Sequence, residues 1–97
     1  MKQNFHWIIL YDIRDVKRLS KVAKVVESYG WRVQKSVFES NADEKTINIL
    51  KRRLLDIIDI ETDFILFFDV CEKDWQKQEI YGTMGANKEV NDKFLVL

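Results

Sequence analysis

One acidic residue, Asp12, is the strongest candidate in this sequence for a role in chemistry. It follows an apolar run at residues 7–11, and Asp15, three positions later, already supplies the acid that a helix start requires. An acid that folding does not need, at a strand end and beside several charges, is a candidate for a functional site. The cations that follow it within nine residues are Arg14, Lys17, Arg18 and Lys21.

Positive charge is concentrated near this acid, although sixteen cations and sixteen acids balance over the chain. Residues 14–35 hold seven cations and two acids, whereas residues 36–97 hold eight cations and thirteen acids. Lys17, Lys21 and Lys24 repeat at helical spacing. Such a row is either a solvated helix face or a phosphate-binding surface, and the sequence leaves both open.

Length and composition indicate one globular domain, residues 1–97. With 46% hydrophobic and 12% aromatic residues, so small a domain has more apolar surface than one core hides, which favours a homodimer. No apolar run is long enough to span a membrane, so no membrane partner is expected. The lone Cys71 fits a reducing cytoplasm and is expected to be a buried or half-buried small hydrophobe.

The apolar patterns predict a small α+β domain. Asp15 is expected to cap the first helix and Gly30 to end it in the left-handed conformation. Its core stripe is expected to be Leu19, Val22, Ala23 and Val26. In chain order the predicted elements are a strand at 5–13, helix at 16–29, strand at 31–39, helix at 43–59, strand at 62–70 and short strands in "QEIYG" and "FLVL".

Two predicted strands, 5–13 and 62–70, are apolar on both faces. Helices at two crossovers of a small sheet would cover one face and leave the other open. A second copy of the chain is the economical cover for that face. The terminal "FLVL" would be an aggregation hazard unless it pairs, and the partner subunit offers a place to pair.

Three segments, "YDIRD", "KRLSKVAKVVESYG" and "WRVQKSVFE", resemble the CRISPR-associated protein 2 family in order and spacing. The resemblance is specific over residues 8–39, and from Ser40 onward only the element order supports it. It implies a ferredoxin-like antiparallel sheet with two helices on one face and a C-terminal strand that can join the partner's sheet. Such a fold needs two strands where 31–39 shows one, so either a bend near Lys35 and Ser36 divides the segment or it remains one strand.

The resemblance also implies a function. Family members form homodimers that bind duplex DNA with the CRISPR integrase during spacer capture, and some are described as magnesium-dependent nucleases of RNA or DNA. Asp12 matches the family's proposed metal ligand, so one Mg²⁺ at the dimer interface would take Asp12 from both chains. Residues expected to bind nucleic acid are Arg14, Lys17, Arg18, Lys21, Arg32 and Lys35, and those expected to contact substrate are Tyr11, Ser36 and Phe38.

The sequence leaves alternatives open for single residues and for the function of the whole protein. Asp12 could instead pair with Arg14, Arg18 or Arg32 and order the dimer. The whole protein could be a non-catalytic dimeric scaffold that grips DNA by its backbone beside the integrase. Phe38 could pack in a core or interface rather than stack on a base, and His6, the only histidine, is expected to be an interior or interface residue.

Overall fold

The computed structural model describes residues 5–79 and 81–82, where four strands form one antiparallel sheet in the order β2-β3-β1-β4. With two helices at the crossovers, this is the predicted ferredoxin-like α+β arrangement. The elements in chain order are β1 (Trp7–Asp12), α1 (Val16–Glu27), β2 (Trp31–Gln34), β3 (Val37–Ser40), α2 (Glu44–Leu55), β4 (Phe64–Asp69) and a short α3 (Glu72–Gln76).

Strand β1 lies at the centre of the sheet because it is apolar on both faces. It pairs with β3 on one side and with β4 on the other, where Ile9 is opposite Phe67 and Asp12 is opposite Phe64. Successive side chains of a strand point to opposite faces. Trp7, Ile9 and Tyr11 are therefore buried together in the core that the helices cover.

Both long helices begin at an aspartate cap. The carboxylate of Asp15 accepts a hydrogen bond from the backbone N–H of Arg18, and that of Asp43 accepts one from Thr46. Each helix buries one apolar stripe, and Val22 in the stripe of α1 is fully buried. Fully or almost fully buried with it are Val26, Ile47, Leu50 and Leu54.

Two details of the first helix differ from the sequence prediction, and the hairpin after it resolves an alternative that the sequence left open. Leu19 is 38% exposed, so its assignment to the core stripe was wrong. Gly30 does not have a positive φ, so the predicted left-handed ending is also wrong; α1 ends at Glu27 and its C-cap, Ser28, is in the right-handed region. Residues 31–39 are divided by a turn at Lys35 and Ser36 into β2 and β3, which resolves that alternative.

The C-terminal part departs further from expectation. The sequence predicts no helix at 72–76, where α3 forms, and Cys71 before it is exposed rather than buried. In "QEIYG" residues 78 and 79 are not in a strand, Tyr81 forms a single β-bridge, and residue 80 lies outside the described residues. "FLVL" lies entirely outside them. No helix in the described part of the chain is long and apolar enough to cross a membrane.

Candidate nucleic-acid interface and strand-end acid

Asp12 is the last residue of β1, and its side chain is 61% exposed. It lies on the sheet face opposite Tyr11, because neighbouring strand residues alternate between faces. Among the described residues its ion-pair partner is Arg14, with 3.5 Å between the guanidinium Nη2 and the carboxylate Oδ2. This is a loose, solvated ion pair, so the carboxylate retains room for another ligand.

The sheet face that carries Asp12 is apolar and not covered by α1 or α2. Ile8 and Leu10 of β1 lie on it, and their partners in β4, Phe68 and Leu66, lie beside them. Phe68 is 48% exposed, and Phe64, opposite Asp12, is 55% exposed. We call this surface, residues 8, 10, 12, 64, 66 and 68, the open face.

At one end of the open face, His6 is buried and contacts α3. Its Nε2 pairs with the carboxylate of Glu72, and its ring stacks on Trp75 with centroids 4.4 Å apart. Asn41 donates to the Phe5 carbonyl beside it. The expectation that His6 is an interior residue agrees with this environment.

Arg18 is held by an acid rather than directed into solvent. Its Nε donates to Asp63 Oδ2 over 2.7 Å, and its Nη2 donates to Asp63 Oδ1 over 3.1 Å. The Asp63 side chain has no exposed surface. Because the Arg18 hydrogen bond stabilises the ionised form, the pKa of the Asp63 carboxyl lies well below its usual range.

Arg32 is also engaged within the chain. Its guanidinium donates to the Lys35 carbonyl over 2.7 Å and to the Glu27 carboxylate over 3.1 Å. The same group lies 5.0 Å from the centroid of the Phe38 ring. Arg32 therefore links the β2–β3 turn to the end of α1, with its charge partly satisfied by Glu27.

The three residues expected to contact substrate lie close together but differ in access. Phe38 is fully buried and Tyr11 is 4% exposed, with their rings 5.8 Å apart, so both pack in the core. Burial raises the pKa of the Tyr11 hydroxyl, which therefore stays protonated. Ser36 is half-buried, and its carbonyl accepts the Tyr11 N–H over 3.1 Å.

A groove of about 420 Å³ separates the first half of α1 from the β2–β3 turn. Tyr11 forms part of it, and Arg32, Lys35 and Ser36 line the turn side. The exposed Leu19 lines the helix side, which explains why this residue is not in the core. Lys17, Lys21 and Lys24 are exposed on α1, as a phosphate-binding row would require.

One copy of the described residues offers Asp12 as a single exposed carboxylate for a metal ion. The described residues contain no cluster of three or more histidine, cysteine or acidic side chains. Mg²⁺ often binds through one or two carboxylates together with water and substrate phosphates. Asp12 fits this pattern as one exposed ligand, and a second copy would supply another.

The family model described as "CRISPR associated protein Cas2" matches residues 5–78. The chain belongs to this family. The "CRISPR-associated endoribonuclease Cas2 3" of Synechocystis sp. is 37% identical over 84 residues, which cover 87% of this chain and 91% of that protein. The "CRISPR-associated endonuclease Cas2 2" of Thermus thermophilus is 39% identical over 65 residues, covering 67% of this chain and 72% of that one.

Solved Cas2 structures have the same fold. The crystal structure of Streptococcus pyogenes Cas2 at pH 6.5 superposes with a TM-score of 0.69 at 38% identity, covering 79% of this chain and 99% of that chain. The family assignment from the three N-terminal segments is therefore confirmed. The match also extends to residue 78, well past Ser40, where the sequence alone offered only the order of elements.

One residue of the site was missed from the sequence. Asp63 was not singled out among the thirteen acids of residues 36–97, yet it holds Arg18 and accepts the N–H of Arg14 over 2.9 Å. Its only sequence signal is its place directly before an apolar strand, whereas Asp12 is the last residue of one.

Proposed function

We propose that this Cas2 protein is a dimeric, metal-dependent phosphodiesterase acting on nucleic acid in CRISPR adaptation, together with the integrase. The observation that carries the proposal is the exposed carboxylate of Asp12 on an uncovered apolar sheet face. If two copies meet through their open faces, each contributes one Asp12 to a shared site. The names of the relatives, endoribonuclease and endonuclease, support the reaction class.

Burial of the open face supplies the reason for the dimer. Phe64 and Phe68 are about half exposed in the single chain, and removing such rings from water stabilises an association. The dimer also explains why an acid lies on an otherwise apolar surface. A carboxylate at the edge of the contact stays accessible to water and to a phosphate while facing its copy.

Asp12 from both chains would hold Mg²⁺, which when bound supplies a Lewis acid for the phosphate oxygens and lowers the pKa of a bound water. Arg14, 3.5 Å from Asp12 and 67% exposed, is placed to contact a phosphate beside that site. The exposed Lys17, Lys21 and Lys24 extend positive charge along α1 for the neighbouring backbone. Lys35 at the β2–β3 turn adds a further exposed cation.

The decisive experiment compares wild type with Asp12→Asn on labelled single-stranded RNA and duplex DNA, each with Mg²⁺ and with excess chelator. Asparagine keeps the shape but loses the charge that a hard cation requires, so cleavage should fall to background while circular dichroism and dimer mass stay unchanged. Arg53→Ala, whose guanidinium contacts Tyr29 rather than the site, is the control and should cleave normally. Cleavage that survives in Asp12→Asn or in chelator would overturn the proposal.

A second candidate function is a non-catalytic scaffold that holds duplex DNA beside the integrase. The ion pair between Asp12 and Arg14 favours this candidate, because an acid paired with an arginine can order a dimer without holding a metal ion. It predicts duplex binding by wild type and Asp12→Asn alike, and no cleavage by pure wild type with any divalent metal. Both candidate functions use the same basic surface to bind nucleic acid, and only the first requires the protein to cleave it.

A further inference from the structure

The carboxylate of Asp63 is fully buried and joins three segments of the chain. It receives the two hydrogen bonds from the Arg18 guanidinium, at 2.7 and 3.1 Å. It also accepts the backbone N–H of Arg14 and that of Asp59, each over 2.9 Å. A buried carboxylate with this many donors stays ionised and fixes the position of every group that donates to it.

These contacts lie at the end of the sheet that carries Asp12. Asp12 and Phe64 are the last residue pair between β1 and β4. Asp63 immediately precedes Phe64, and its Oδ1 holds Arg14, two residues beyond Asp12. The same carboxylate holds the first turn of α1 through Arg18, so the segment from Asp12 to Arg18 is fixed at both ends.

We propose that Asp63 and Arg18 are positioning residues that hold Asp12 and Arg14 in place for phosphodiester cleavage, and that Arg18 does not itself contact nucleic acid. The inference rests on the proposed function for its kinetic consequence. We call the pair the Asp63–Arg18 clamp. A fork of two parallel hydrogen bonds needs the planar guanidinium of arginine, and a lysine ammonium cannot replace it.

The competing role for Arg18, a direct phosphate contact, predicts different behaviour in every variant. A phosphate contact needs only positive charge, so Arg18→Lys would preserve it, and Asp63→Asn would release the guanidinium for tighter binding. The clamp needs both partners and their geometry. Arg18→Lys, Arg18→Ala and Asp63→Asn should then share one phenotype.

The kinetic test measures kcat and KM for cleavage by these variants and by Asp63→Asn/Arg18→Ala. Removing a residue that positions a site costs on the order of 10- to 100-fold in activity. Each single variant should therefore lose about 10- to 100-fold in kcat, while its KM changes by less than about twofold. The double variant should be no worse than either single one, because both remove the same clamp. A rise in KM without loss of kcat, or full activity in Arg18→Lys, would overturn the clamp.

Two binding and exchange measurements decide the clamp even if pure wild type does not cleave. In Asp63→Asn the Arg14 amide should exchange with solvent at least about tenfold faster in two-dimensional NMR, because its ionic acceptor has been removed. In Arg18→Ala the slope of log duplex affinity against log salt should equal that of wild type. A slope shallower by about one to two units, since Arg18 occurs twice in a dimer, would show a phosphate contact and overturn the proposal.

Asp43→Ala is the matched control for general destabilisation, because alanine cannot cap a helix whereas asparagine would cap it about as well as aspartate. Asp43 caps α2 at the opposite end of the sheet and, like Asp63, is an acid with a lowered pKa that accepts a backbone N–H. It should lose stability while keeping the wild-type kcat and the wild-type exchange rate at Arg14. Loss of kcat in this control equal to that in Asp63→Asn would assign the effect to instability and overturn the clamp.

Discussion

Gly30 lies against the backbone of Glu39 so closely that no other residue fits. A β-carbon at Gly30 would be 2.0 Å from the Glu39 carbonyl oxygen and 3.1 Å from the Cα of Ser40. The approach follows from the β2–β3 hairpin, which folds residue 39 back beside residue 31. Ser40 reinforces the contact, because its hydroxyl donates to the Tyr29 carbonyl over 2.6 Å.

Gly30→Ala should therefore destabilise the protein, although alanine suits most backbone conformations. The obstructing atoms belong to the backbone of β3, an inner strand, and cannot rotate away, so β3 or the end of α1 must shift. Overpacking of this kind costs about 1–3 kcal/mol, and in a domain of this size each kcal/mol lowers Tm by roughly 4–8 °C. Thermal unfolding would measure this loss of stability in Gly30→Ala, with Ser20→Ala, at an exposed helix position, as the control. Equal Tm values for the two variants would contradict the expectation.

The open face should carry the dimer interface. Phe68→Asp places a charge within the apolar contact, where it would lose its water without gaining a partner. We expect the dimer to weaken by about 2 kcal/mol or more, roughly a 30-fold rise in dissociation constant. Light scattering across a concentration series should show the 11.6 kDa monomer appearing at higher concentration than in wild type.

Ile49→Asp is the matched control for the dimer experiment. Ile49 is 52% exposed, close to the 48% of Phe68, but lies on α2 in the helix layer. It should leave the dimer intact. If both substitutions weakened the dimer equally, or neither did, the open face would not be the interface.

The Asp63–Arg18 clamp should make stability depend on acid pH. The pKa of Asp63 in the folded chain lies below its ordinary value of 3.8. Its contribution is therefore present above that value and is lost as pH falls toward the folded pKa. Urea unfolding between about pH 5 and about pH 2 should show a shallower fall in stability for Asp63→Asn than for wild type.

Arg18→Ala provides the check on this acid dependence. The hydrogen bond from Arg18 is the largest cause of the lowered pKa of Asp63. Removing the guanidinium should flatten the pH dependence nearly as much as removing the acid does. A wild-type pH dependence in Arg18→Ala would show that the backbone donors Arg14 and Asp59 alone set the pKa.

Local signals predicted the parts of the fold that depend on neighbouring residues. Asp15 could be placed as a cap because it precedes a helical apolar stripe, whereas Asp43, predicted as the first residue of the second helix, is in fact its cap. The strand-end position of Asp12 followed from a run of apolar residues that stops at an acid. The five-residue α3 was missed because so short a helix has no periodicity to detect.

Long-range contacts explain most of what the sequence could not predict. Arg18 and Asp63 are 45 residues apart, and nothing near either one indicates the other. The need for Gly30 depends on the backbone of Glu39, which reaches it only after the hairpin has formed. Burial of Phe38 likewise depends on strand register, since Phe38 is opposite Ile9.

The lysine row on α1 should bind duplex DNA through phosphates. Lys17 and Lys21 are exposed one turn apart, and each lysine that binds a phosphate releases condensed counterions. Lys17→Ala/Lys21→Ala should lower the slope of log affinity against log salt by about one unit for each phosphate that is no longer bound. In a dimer each lysine occurs twice, so the slope could fall by up to about four units. Affinities for several unrelated duplexes, measured from low to physiological salt, would give the slope for each variant.

Lys73→Ala/Lys77→Ala removes the same charge from a different surface. Both lysines are exposed at α3, in the acidic part of the chain, where phosphates should be repelled. Its salt slope should match that of wild type, because long-range attraction is largely screened beyond about 8 Å at physiological salt. Equal reductions of the slope in the two double variants would mean that net charge, not the α1 row, governs binding. Weakening limited to one duplex sequence would indicate base contacts, which phosphate binding by lysine does not produce.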